Sequence, residues 1–159
     1  MELINVIAKF IFRSYIYPSN QTIPMNKASK PKLLYYQKLG ELFYAIAASV
    51  KTIDKLEYAV LNQLVAKEWK NIDEKHDDFE NDAAYQISIV FDWFDYKRMD
   101  ADECFNSFKE YYQEHKRFFS EKRKTLILKT SQAILNAFCG INKSKKTTTA
   151  KLNLLFSNI

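Results

Sequence analysis

Residues 42–57, Leu42-Phe-Tyr-Ala-Ile-Ala-Ala-Ser-Val-Lys-Thr-Ile-Asp-Lys-Leu-Glu57, hold the end of one helix, a joint and the start of the next. Leu42, Phe43, Ile46 and Val50 continue a stripe opened by Tyr35 and Leu39 at steps of three and four, the period of a helix that buries one face; it covers about residues 33–49. Lys51-Thr52-Ile53 interrupts that period. Asp54 followed by Glu57 has the spacing of a capping box, in which the aspartate accepts from the free N–H groups of a new helix and the glutamate reaches back to the cap. The second helix is expected from Asp54 to about Trp69, with Leu56, Val60, Leu61, Leu64 and Val65 inward.

Outward from this stretch the chain reads as helical throughout. Residues 70–82 carry Asp73, Glu74, His76, Asp77, Asp78, Glu80 and Asp82 and offer no apolar face, so they are expected to form a solvated loop. A third helix over about 83–96 places Ala84, Ile87, Val90, Phe91 and Phe94 on one side. Asp100 and Glu103 repeat the capping pattern and open a fourth helix to about His115, with Phe105, Phe108 and Tyr112 inward. A fifth helix, about 120–139, carries Leu126, Ile127, Thr130, Ile134, Ala137 and Phe138, and Gly140 is placed to stop it. A basic, Thr-rich loop over 142–148 is expected to lead into a last short helix, about 149–156, that buries Leu152, Leu155 and Phe156. No segment alternates as a strand would. The expected fold class is therefore all-α: a single-domain bundle of about six helices built from helix-loop-helix repeats.

Composition agrees with one domain. The chain has 159 residues, 47% of them apolar and 15% aromatic, enough for a single core. Its three prolines, Pro18, Pro24 and Pro31, all precede the first long periodic segment, so nothing downstream forces a helix to break. Residues 1–31 differ in character and end in a polar, linker-like run; they are expected to be an N-terminal extension to a domain over 32–159. Met25 opens a polar, basic leader, and translation is expected to start there rather than at Met1; the alternative is a short amphipathic helix that packs on the domain or touches a membrane surface. The apolar stretch at 3–17 is interrupted by Lys9 and Arg13 and is too short to span a bilayer. The expected compartment is the cytoplasm.

The net charge of +5 is unevenly spread: residues 1–50 hold 6 basic and 2 acidic side chains, 51–115 hold 8 and 16, and 116–159 hold 10 and 1. An acidic middle and a basic end either attract each other within the fold or present one sign to a partner.

The joints Lys51-Thr-Ile-Asp-Lys-Leu-Glu57 and Lys97-Arg-Met-Asp-Ala-Asp-Glu103 share Lys, a central apolar residue, Asp and Glu at equal spacing. With its small-residue helix end, apolar residue and helix-opening Glu, the stretch 42–57 resembles the signature of the TerB-like tellurite-resistance domain. The resemblance extends over about 33–156 and implies an all-helical bacterial module of helix-loop-helix repeats, non-catalytic, that serves in interaction or in a stress response. In that family the helix end is followed by Asp-Gly, and its acids have been linked to metal binding. Here Val50 stands where the family has Asp and Lys51 where it has Gly, while Ile53 and Glu57 fit. The resemblance thus implies a copy that has largely lost that site, because a hard cation needs several converging oxygens.

Catalytic chemistry finds little footing. Cys104 and Cys139 lack the close spacing of a zinc or redox motif and read as reduced core thiols. His76 and His115 are the only histidines and read as surface residues, which disfavours metal-hydrolase and Ser-His-Asp arrangements. Two glycines cannot build a phosphate loop, and neither joint has the oxygen ligands and central Gly of a calcium loop. Asp54, Glu57, Asp100 and Glu103 are read as helix caps, with a divalent-metal site as the weaker alternative; no cofactor is expected. A protein partner is expected instead, over a surface where Asp77, Asp78 and Glu80 and the cations Lys116, Arg117, Lys122, Arg123 and Lys124 meet solvent. An exposed aromatic there, Trp93 or Phe119, would strengthen it. Nucleic acid is the alternative partner, since lysines and arginines crowd the last third and Tyr111, Tyr112, Phe118 and Phe119 lie nearby to stack on bases.

Overall fold

From Tyr35 to Ala47 every residue is buried. The computed structural model describes residues 29–49, 52–72, 83–137 and 143–157. Among them are six α-helices, α1 (Ser29–Ala48), α2 (Lys55–Lys67), α3 (Gln86–Lys97), α4 (Ala101–Glu114), α5 (Glu121–Ala137) and α6 (Lys143–Ser157), with single 3₁₀ turns at Trp69–Asn71 and Lys116–Phe118. The described residues contain no strand.

α1 is the axis of the bundle. It packs against α3, α4, α5 and α6, while α2 lies against α5 and α3, and α5 against α6. A stripe along one side was the expectation; instead the whole circumference is covered, which takes Tyr36, Gln37, Lys38, Glu41 and Tyr44 out of water as well. Polar atoms buried this way need partners. Gln37 Nε2 donates to Gln86 Oε1 at 3.2 Å, Lys38 Nζ donates to Glu41 Oε2 at 2.8 Å and to Ser107 Oγ at 2.6 Å, and the Tyr44 hydroxyl donates to the Met99 carbonyl at 2.8 Å. α3 reaches the α1 backbone at Gly40: a Cβ there would lie 2.6 Å from the Ile87 carbonyl oxygen and 2.9 Å from Val90 Cβ. Only a residue without a side chain permits that approach.

Elsewhere the apolar pattern lands largely as read. Ala84, Ile87, Val90, Phe91, Phe94, Phe105, Phe108, Tyr112, Leu126, Ile127, Thr130, Ile134, Leu152 and Phe156 are buried, and Leu155 packs half-buried on the core. Trp69 is wholly enclosed, its Nε1–H donating to Thr130 Oγ1 at 3.0 Å and its ring lying 5.9 Å from that of Phe43. α1 begins at Ser29, before the expected start, and Pro31 falls in its first turn, where the missing N–H costs no helical bond.

Three expectations need correction. Leu56 is 52% exposed, because Glu57, the next residue around the helix, takes the inward position with no exposure at all. Residues 143–148, expected as a loop, belong to α6, which begins at Lys143. His115, expected at the surface, is half-buried and stacks between Tyr111 and Phe118, at ring separations of 4.4 and 5.8 Å. Residues 1–28, which include Met25, and Phe138, Cys139 and Gly140 lie outside the described residues.

Candidate interaction surface

Both repeated joints are built on helix starts. At the first, Asp54 is extended, its carbonyl accepts the Glu57 N–H at 3.0 Å, and the Glu57 carboxylate accepts the Asp54 N–H at 2.9 Å. At the second, Asp100 is extended and its Oδ1 accepts the Glu103 N–H at 2.9 Å. The central apolar residues of the two joints, Ile53 and Met99, both rest on the core. α3 ends within the second joint on Arg98, which adopts the left-handed conformation with φ of 52°.

The structure does not bring the four candidate carboxylates together. Glu57 is turned into the fold at the start of α2, whereas Asp54, Asp100 and Glu103 are exposed. Asp100 alone of the four lines a recess of about 540 Å³, with Asp95, Asp102, Arg98 and Lys151 on its walls and Tyr44, Ala45 and Ile53 at its base. Asp95 is already engaged, accepting from the Tyr58 hydroxyl at 2.5 Å and pairing with Arg98 at 3.1 Å. Among the described residues no three His, Cys, Asp or Glu side chains converge as a metal would require.

The basic candidates fall into two groups. Lys122, Arg123 and Lys124 serve the fold. Lys122 Nζ donates to the Ile72 carbonyl at 2.8 Å, Arg123 donates to the Phe118 carbonyl at 2.7 Å and covers the Tyr35 ring, and Lys124 pairs with Glu121 at 2.9 Å, a bond that raises its pKa. Lys116 and Arg117 are exposed on the turn between α4 and α5. Beneath them the stacked rings of Tyr111, His115 and Phe118 hold that turn, and the Arg117 guanidinium lies 5.1 Å from the Phe118 ring.

Asp77, Asp78 and Glu80 lie outside the described residues, as does His76; the bond from Lys122 to Ile72 brings the described edge of that acidic stretch to the start of α5. Phe119 is buried against Tyr35, Phe108, Tyr111 and Tyr112, so it is core and not a contact residue. Trp93 is half-buried on α3 with Lys97 Nζ 4.7 Å from its ring, and Tyr96 beside it is 75% exposed. Of the four aromatics named for base stacking, Tyr111, Tyr112 and Phe119 are buried. Cys104 is buried too, and burial, reinforced by Glu41 and Asp100, pushes its thiol pKa upward, the reverse of a reactive cysteine.

A feature the residue pattern did not reveal lies between α4 and α6. Phe105, Tyr112, Leu154 and Leu155 line a groove of about 500 Å³ edged by Lys109, Lys116 and Lys151. Leu154 is 64% exposed, an apolar side chain that the fold leaves in water. The signal was present in the Leu154-Leu155-Phe156 run, which is one apolar residue wider than a single inward face needs.

No helix among the described residues is long and apolar enough to cross a membrane. No protein-family model, no curated protein and no solved structure matches the chain.

Proposed function

We propose that this chain is a non-catalytic, TerB-like helical interaction module of the bacterial cytoplasm that binds a protein partner through its basic side. The observation that carries the reading is the standing of Lys116 and Arg117, two exposed cations on a turn fixed from below by stacked aromatic rings. A turn held from below keeps its backbone in place on docking, and its cations steer an acidic partner. The joint acids support the non-catalytic part of the reading, since Glu57 and Asp100 are occupied with backbone N–H groups at helix starts. Nucleic acid is the weaker reading, because three of the four rings that would stack on bases, Tyr111, Tyr112 and Phe119, are buried in the core.

The test places a photo-crosslinking residue at Arg117 in the full chain, and at exposed Lys55 as the control, in cells of the source organism. Discrete protein adducts are expected from position 117, lost on Lys116→Glu and absent from position 55. Adducts to nucleic acid, or saturable binding of DNA or RNA oligonucleotides at low salt, would install the second reading.

A further inference from the structure

Resting on that reading, we infer that the α4–α6 groove is a docking site for an amphipathic, acidic helix of the partner protein. Phe105 and Tyr112 form a buried floor, and Leu155 and the largely exposed Leu154 carry the apolar surface out to solvent. Lys109 on α4, Lys116 on the turn that follows it and Lys151 on α6 stand along the edges. Among the described residues neither Lys109 nor Lys116 has an ion-pair partner, and Lys151 has only Asp102 at 3.7 Å, with both side chains well exposed. A loose pair of that kind contributes little and is readily exchanged. Burying the apolar floor under a neutral or basic ligand would strand these ammonium groups beside low-dielectric surface; a ligand with carboxylates flanking its apolar stripe supplies their counter-charges.

The shape selects a helix over an enclosed small ligand. The groove is flanked by two helices, several of its lining residues are solvent-facing, and the α4 residues that line it run from Phe105 to Gln113, about 12 Å of wall, room for about two turns of a partner. Leucines at i, i+3 and i+7 would then meet Leu154, Tyr112 and Phe105 in the helix-in-groove manner. The chain's own residues 1–28 are poor occupants, because Lys9, Arg13 and Lys27 outnumber Glu2 and would bring like charge to the rim.

The probe is a fluorescein-labelled, helix-forming peptide with a leucine stripe flanked by glutamates, titrated with the full chain and read by anisotropy. A peptide with the same stripe flanked by lysines is the control. Saturable binding of the acidic peptide is expected, weakened at least tenfold by Lys109→Glu/Lys116→Glu and by Leu154→Arg, unchanged by Lys55→Glu, and weaker at high salt. All these positions are exposed, so the variants keep the fold, which their circular dichroism and Tm verify. Equal affinity for the two peptides, binding untouched by the groove variants, or no binding overturns the proposal, as does concentration-dependent dimerisation abolished by Leu154→Arg, which would assign the groove to a second copy. Failure here with crosslinks retained at position 117 rejects the groove alone; loss of both rejects the interaction module.

Discussion

Lys38 and Glu41 lie one turn apart on a helix that is covered on every side, and their side chains keep only 11% and 3% of their exposure. Burial pushes the Glu41 carboxyl pKa upward, opposed by the ammonium 2.8 Å away, and among the described residues Glu41 Oε1 has no hydrogen bond. The pair is therefore held at a cost, and removing one partner is worse than removing both. Glu41→Leu alone is expected to destabilise by about 3 kcal/mol, because it leaves the ammonium with Ser107 as its remaining bonded partner. Lys38→Met/Glu41→Leu is expected to recover most of that loss. Denaturant unfolding of the wild type, both single variants and the double variant measures the coupling; a double variant as unstable as the sum of the singles would show that the pair does not act as a unit.

Among the elements, the joints are where the sequence alone is most informative. The Asp-x-x-Glu spacing at 54–57 and 100–103 marked two helix starts correctly because capping is local chemistry, confined to four residues. The burial of α1 on all sides was not legible. It depends on how many helices surround an element, and Gln37, Lys38 and Glu41 look like a solvated face until α3 and α4 cover them. The α4–α6 groove was hidden for the same reason: it belongs to two helices far apart in the chain, and only the surplus Leu154 hinted at it. The cap reading itself is testable. Asp100→Ala is expected to cost about 1 kcal/mol and Asp100→Asn a few tenths, since Asn keeps the accepting oxygen. For a chain of this length that is a fall in Tm of roughly 2–4 °C for the alanine variant. Millimolar Ca²⁺ or Mg²⁺ should leave the Tm of wild type and variant equally unmoved. A metal-dependent rise seen in wild type and lost in Asp100→Ala would replace the cap with a cation site.

Across the whole molecule, buried phenols make the bundle sensitive to alkali. Tyr44 on α1 and Tyr111 on α4 both have their pKa pushed up to about 12, from an ordinary value of 10.0, chiefly by burial. For Tyr44, Cys104 and Asp95 add to the rise. Tyr58 on α2 is raised as well, by burial and by its hydrogen bond to Asp95. A folded-state pKa above the unfolded one means that the fold favours the neutral phenol. The stabilisation is fully present below about pH 10 and is lost as pH rises through about 12. Because the three phenols sit on three different helices around one core, their ionisation acts on the packing of the bundle as a unit, and unfolding should remain a single transition. The expected result is an unfolding free energy that is level near neutrality and falls steeply above about pH 10. Cys104 titrates with the same sign and lysines lose their charge in the same range, so the slope of the wild type alone is not diagnostic. The difference is. Tyr44→Phe should lose about 1 kcal/mol at neutral pH, with its bond to the Met99 carbonyl, yet decline less steeply in alkali. Denaturant titrations of both proteins across this range decide it: parallel curves would mean that Tyr44 ionises without resistance from the fold and that the α1–α4 core is wetter than its packing implies.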